Sequence, residues 1–332
     1  MSTPQHLGKR SGAQASSGYR LPAEFEPQSR VWLTTPHNPD TWPGCLDEAQ
    51  TQFESFTNKL AQFVEVKTTQ SSNIETNDSW IRDYGPIFVM KENEIVIHDF
   101  TFNAWGNKCD DHELDNIVPQ HIARKLNLPI WIHDFVLEGG SIDTNGRGTL
   151  LTTEQCLLNP NRNPSMSRDQ IEQQLHSAFG TTNIIWLPDG IEGDDTDGHV
   201  DDVARFIDPH TIAAVRANES HPDHTALERN WQTLTNHDFN LVELPAPNPI
   251  LFDYPKNRYY DAGPQPLPAS YANFVITNNA VIVPTFGQTT DDIAIRTLEH
   301  AMPSHKVIGL RAEHLIVGRG AYHCLSMHEP TP

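Results

Sequence analysis

The stretch TLLTTEQCLLNPNRNPSMSRDQIEQQLHSAFGTTNIIWL, Thr149–Leu187, reads as strand, helix, strand. Thr149–Leu151 is a short run that suits a strand. Ser167 and Gln170 make a capping box, in which each residue satisfies a backbone N–H of the other, just ahead of Ile171, Leu175 and Phe179. Ile184–Leu187 is apolar again and too short for a helix. Strands that alternate with helices argue an α/β architecture.

The same alternation runs outward from this segment. Strand-like runs occur at Phe63–Val66, Ile95–His98, Ile130–His133, Ile212–Val215, Phe274–Ile276, Ala280–Val283 and Val307–Leu310. Helical patterns cover Asp47–Phe63 and His224–Leu234, and another begins after Thr290 with Ile293, Leu298 and Met302 as its apolar positions. The proline- and aromatic-rich stretch Pro245–Pro268 reads as a long ordered loop, a length that is usually functional or disordered. No low-complexity region or interior linker breaks the chain. Residues 1–20 form a leader and residues 21–332 a single domain. The first 23 residues are basic, serine-rich and free of acid, as a transit peptide would be, but lack the apolar core of a secretory signal. A floppy leader is the simpler reading.

Composition excludes several functions. The chain has 332 residues, 37% hydrophobic and 20% charged, which fits a folded globular protein. No apolar run approaches the ~18 residues that span a bilayer. A net charge of −20 repels nucleic acid and anionic membrane surfaces, so neither is expected as a partner. The charge reads first as a solvated acidic surface, and it is compatible with a cationic substrate. Cys45, Cys109, Cys156 and Cys324 form no CxxC pair and no disulfide framework, and they read as reduced thiols in a cytoplasmic, reducing compartment.

Four segments combine reactive groups with glycine. Asn77–Pro86, NDSWIRDYGP, sets an aromatic, an arginine and an aspartate before a Gly-Pro turn. Trp80 can stack on a planar cation and Asp83 can accept its hydrogen bonds, or Arg82 and a neighbouring Asp can simply pair within the loop. Leu137–Ser141, LEGGS, places Glu138 where a strand end would present it to a site, although taken alone the segment reads more simply as a turn. Gly193–Asp202, GDDTDGHVDD, is the densest polar cluster. In an extended segment His199 and Asp201 would share a face, with His199 as a proton shuttle. A divalent-cation site is the alternative, though the EF-hand pattern is absent. Gly318–Cys324, GRGAYHC, leads through glycines to a thiol, which elsewhere in proteins is more often inert core material. A thiol, a histidine, carboxylates and an aromatic together suit attack on a carbon that carries delocalised positive charge.

These segments, with LPAEFEP at Leu21, FNAWG at Phe102, GTLLTTEQCLLNPNRNP at Gly148 and LPASYANF at Leu267, resemble the agmatine deiminase family of the guanidine-modifying (pentein) superfamily, most like the plant enzymes. The likeness covers about residues 21–330. It implies a five-bladed, pseudo-symmetric α/β propeller of ββαβ-type units around a central active site. It also implies hydrolytic deimination of agmatine to N-carbamoylputrescine and ammonia, a step toward putrescine, with no metal or organic cofactor. By resemblance Cys324 is the nucleophile that forms a covalent amidino-thioether and His199 the general acid and base. Glu138 holds that histidine and contacts substrate, Asp83 and Asp201 grip the guanidinium, and Trp80 walls the pocket. The resemblance allows a homo-oligomer, a dimer or larger.

The chain departs from the family pattern at GRGAYHC, where GGGNIHC is expected, at IDTNGRGT after EGGS, at SMHEP in the tail, and at RDYGP. Arg319 and Arg147 keep open a deiminase of free arginine or peptidyl-arginine, whose substrate carries a carboxylate or a peptide backbone. A cation at Arg319 would repel a dicationic substrate unless paired. An inactive guanidinium-binding protein is a third reading, against which the intact Cys, His, Glu and two Asp speak. A papain-like peptidase needs its Cys upstream of its His.

Overall fold

The computed structural model describes residues 18–332. The predicted leader lies almost wholly outside them. The chain is α/β. Five three-stranded sheets share one pattern: the middle strand is antiparallel to one neighbour and parallel to the other. Each follows the order strand, strand, helix, strand. One unit is Ile87–Lys91, Glu94–Thr101, helix Val118–Leu126 and Ile130–Val136. The next is Ile142–Thr144, Thr149–Thr153, helix Arg168–Phe179 and Asn183–Leu187, the segment read first above. Two more are Ala204–Asp208 to Asn240–Pro245 and Val275–Thr277 to Lys306–Arg311. The fifth joins the two ends of the chain. Its C-terminal strand Ser326–Pro330 pairs antiparallel with Gln28–Leu33, which is followed by helix Leu46–Leu60 and the parallel strand Glu65–Thr68.

Local chemistry explains the helices. The Ser167–Gln170 box forms as expected, with the Gln170 side chain accepting from the Ser167 N–H at 2.8 Å. The helix stops at Gly180, whose φ of 64° suits a residue without a side chain. Helix Leu46–Leu60 buries Ala49, Phe53, Phe56 and Leu60, one stripe at helical spacing. Phe56 stacks on Tyr322 with ring centroids 4.4 Å apart, so this helix packs directly behind the segment that carries Cys324.

Three expectations are corrected. Pro245–Pro268 is an antiparallel ribbon, Ile250–Tyr254 with Gly263–Leu267, rather than a loop. Two strands leave open edges, where Pro264 and Pro266 cost no ladder hydrogen bond. In helix Thr289–Ala301 Leu298 is buried but Ile293 faces solvent, and Ala294 takes the inward position. The segment is not extended beyond His199, because Val200–Asp202 is a 3-10 turn. No helix among the described residues is long and apolar enough to cross a membrane.

Candidate active site

Each of the four segments turns sharply where its functional side chain emerges. Trp80 precedes the helical turn Ile81–Tyr84, which carries Asp83 and ends when the Gly85 N–H donates to the Ile81 carbonyl at 2.8 Å. Glu138 follows strand Ile130–Val136 and leads into the turn Gly139–Ser141, as its place at a strand end suggests. Asp194 shapes the third loop: its carboxylate accepts from the backbone N–H groups of Thr196 at 2.8 Å and His199 at 2.9 Å. The fourth passes through Arg319 in the left-handed region, φ 68°, before reaching Cys324.

The four loops meet around Gly140. A Cβ on that glycine would stand 2.6 Å from His199 Nδ1, 2.8 Å from Asp83 Oδ1 and 3.1 Å from Asp201 Oδ2, so only glycine fits among these side chains. His199 Nδ1 lies 3.6 Å from Asp83 Oδ1. The Cys324 thiol faces Asp201 Oδ2 at 3.8 Å and accepts from Asn273 Nδ2 at 3.0 Å. A cavity of about 590 Å³ opens over this centre, and Trp80, Asp83, His199 and Cys324 line it. Glu138 and Asp201, both fully buried, touch this lining from behind. Gly320 lets the Trp80 ring approach, since a Cβ there would run into the indole and crowd the Cys324 Cβ at 3.0 Å.

Burial dominates the electrostatics. Desolvation pushes the Cys324 thiol well up, and Asp201, Asp202 and Asp83 push it further, so the thiol is held neutral. Burial raises Asp83 to about 6, with Asp201 and Glu138 adding to it and His199 opposing. For His199 burial would favour the neutral ring, yet Asp83, Cys156 and Glu138 outweigh it and hold the imidazole well above its usual range. Burial would likewise raise Asp201, but His323 more than compensates and lowers it. Three buried atoms at this centre, Glu138 Oε2, His199 Nε2 and Asp201 Oδ1, have no hydrogen-bond partner among the described residues.

Several residues that sequence reasoning did not single out complete the centre. Trp105 Nε1 donates to Asp83 Oδ2 at 2.9 Å, and Arg162 Nε donates to Glu138 Oε1 at 2.7 Å. His323 spans two carboxylates, with Nδ1 2.6 Å from Asp201 and Nε2 2.8 Å from Glu24. Trp105, Arg162, Asn273 and Glu24 all lie inside quoted motif stretches, which was the available signal. Arg82 does not pair with a neighbouring Asp; it reaches Glu24 at 3.3 Å. The acids of residues 193–202 do not converge on one cation either. Asp197 pairs with Lys108 and Arg162, Asp201 with His323, and Asp202 with Asn273.

The two arginines held in reserve part company. Arg147 is exposed, in a separate groove with Arg20 and Gly180. Arg319 lines the cavity, and two of its three nitrogens are engaged within the protein. Nη1 donates to the Gly193 carbonyl at 2.8 Å and Nη2 to Gln265, while Nε faces Asp195 at 3.9 Å. Its guanidinium lies over the rings of Tyr254 and Tyr260, 5.3 and 5.2 Å from their centroids.

A thiol, a histidine and carboxylates gathered at the junction of such α/β units define the class, a guanidine-modifying protein. The chain belongs to the family described as Porphyromonas-type peptidyl-arginine deiminase, whose model matches residues 20–330. An agmatine deiminase of Medicago truncatula is 34% identical and covers 94% of this chain and 96% of its own. The solved agmatine deiminase of C. jejuni with substrate bound is 35% identical, with a TM-score of 0.86 over 94% of this chain and 96% of its own. That of Enterococcus faecalis is 31% identical, with a TM-score of 0.92 over 99% of this chain and all of its own.

Proposed function

We propose that this protein hydrolyses agmatine to N-carbamoylputrescine and ammonia through a covalent amidino-thioether on Cys324. The observation that carries the reading is the meeting of the Cys324 thiol with His199, Asp83 and Asp201 beneath one cavity. The partnerless carboxylate oxygens Glu138 Oε2 and Asp201 Oδ1 suit the N–H groups of a guanidinium. Trp80 offers a flat wall for the same group.

The electrostatics give an order of events. The three aspartates oppose ionisation of the free thiol; a bound guanidinium offsets them, and the thiol releases its proton to solvent through the cavity. Sulfur then attacks the guanidinium carbon. His199, protonated beside Asp83, gives its proton to the departing nitrogen, and ammonia leaves. The now neutral His199 takes a proton from water, which attacks the amidino carbon. The carbon–sulfur bond breaks, the ureido product departs, and Cys324 and the imidazolium are restored.

The cavity favours agmatine over arginine. Arg319 is turned toward the Gly193 carbonyl, Gln265 and the Tyr254 and Tyr260 rings, which hold its cation within the protein, and Arg147 is elsewhere. Asp78, Asp195 and Asp261 line the remaining wall, which suits a second cationic group. We further read the five strand–strand–helix–strand units as blades of one closed propeller within a single domain over residues 21–332. Four free cysteines suit the cytoplasm. The test is ammonia release from agmatine, arginine and a peptidyl-arginine side by side. Agmatine should give the highest kcat/KM, and a preference for either of the others would replace the reading.

A further inference from the structure

Beside the candidate catalytic histidine lies a second thiol, which the reaction above does not use. A His199 ring nitrogen, a Glu138 carboxylate oxygen and Cys156 Sγ lie within 4.8 Å of one another. All three residues are buried, and Cys156 sits on the short helix Glu154–Leu157 that follows strand Thr149–Thr153. Arg162 engages only one oxygen of Glu138, so Oε2 is left without a partner, as is His199 Nε2. Buried polar atoms in native structures are normally partnered, so an open carboxylate oxygen on a residue grouped with a thiol and an imidazole points to a ligand. A guanidinium explains the carboxylate oxygen. It does not explain the sulfur.

We propose that Glu138, Cys156 and His199 form an inhibitory binding site for a thiophilic divalent cation, with zinc the best match. One thiolate, one imidazole and one carboxylate are a zinc donor set, and three protein ligands leave a fourth position open. Bonds of about 2.0–2.3 Å in a tetrahedron bring the donor atoms roughly 3.3–3.8 Å apart, so the side chains close by about an ångström. The Arg162 contact orients the carboxylate, as outer-shell partners of metal ligands do. His199 lies on the cavity wall, which gives the ion its way in. The Cys156 thiol and the His199 imidazolium each give up a proton to solvent on coordination, which frees a thiolate and an imidazole lone pair for the ion. The bound ion occupies the imidazole lone pair and the free oxygen of Glu138, so substrate and metal exclude each other. This is an off state reached by metal, and the metal takes no part in turnover. The inhibition rests on the deiminase reading above; the binding does not.

Cobalt, a coloured stand-in for zinc, is titrated into full-length Cys324→Ser protein, in which the nucleophile cannot ligate. The expected result is one equivalent bound, with a thiolate-to-cobalt charge-transfer band that zinc abolishes. The band should vanish in Cys324→Ser/Cys156→Ser, a substitution close in volume, with near-UV circular dichroism confirming the fold. Absence of the band, or its persistence without Cys156, overturns the proposal. In the active protein zinc should inhibit ammonia release, agmatine should protect, and Cys156→Ser should raise the half-inhibitory zinc concentration more than about tenfold, since even outer-shell partners are worth that much. Zinc inhibition of equal potency in Cys156→Ser also overturns it. Failure of all ammonia release would defeat the deiminase reading alone, because the cobalt titration still decides the site.

Discussion

At Cys324 the thiol is buried among Asp201, Asp202 and Asp83, and all three oppose its ionisation. A bound cation opposes that push, so on the proposed reading the thiol's reactivity depends on the presence of substrate. His199 is set the other way, held protonated by its neighbours. His199→Ala should therefore lower kcat for ammonia release by at least ~100-fold, the range of positioned acid–base groups, and a loss under tenfold would contradict that role. Trp105 acts on Asp83 through one hydrogen bond. A bond to a charged acceptor is worth about 1.5–3 kcal/mol, so Trp105→Phe should raise KM for agmatine roughly 10–100-fold, read by steady-state kinetics. Cys324, His199, Glu138, Asp83, Asp201 and Trp80 stood out as candidates because each lies near glycine or a polar run, and their expected roles came from the family resemblance. Their partners did not. Glu24 meets His323 across 299 positions, and no local pattern announces such a contact.

Among the elements, the strands found from sequence are those with β-branched runs, such as Ile130–Val136 and Ala280–Thr285. The ribbon at Ile250–Tyr254 and Gly263–Leu267 escaped because proline suppresses the strand signal, and helix Val118–Leu126 because nine residues make only about two and a half turns. The parallel pair Glu94–Thr101 and Ile130–Val136 holds a feature that periodicity cannot show. His98 and His133 stack with centroids 4.7 Å apart, His98 Nδ1 lies 2.9 Å from His133 Nε2, and both are buried. Burial lowers His98 well below its usual range and His133 to about 4. Below about pH 6.5 the unfolded chain binds protons that the folded pair refuses, so the pair's contribution falls as pH drops from ~6.5 toward ~4. Buried Asp83 and Asp78, raised to about 6, act with the opposite sign, so the total curve is not diagnostic. The stability gap between wild type and His133→Asn is diagnostic. Measured by urea denaturation it should narrow across that window, and a constant gap would contradict the assignment.

For the molecule as a whole, the charge of −20 read as a solvated surface, yet Glu24, Asp78, Asp83, Glu138, Asp143, Asp201 and Asp202 are all buried. Composition counts charge without placing it. The fold places it by joining the ends of the chain: Ser326–Pro330 pairs with Gln28–Leu33, and Trp32 Nε1 donates to Glu329 at 2.9 Å. Deleting residues 326–332 removes that strand just beyond Cys324. The expected result is loss of the cooperative thermal transition, and a native-like transition in the truncated chain would show that the terminal strand is dispensable. On the proposed reading, Cys324 becomes covalently bonded to the substrate's guanidinium carbon. Rapid-quench mass spectrometry of the protein with agmatine tests it most directly. An agmatine-derived amidino adduct should appear on the peptide that contains Cys324, rise and decay with turnover, and be absent in Cys324→Ser. An adduct on Cys109 or Cys156, or ammonia release that survives Cys324→Ser, would contradict it.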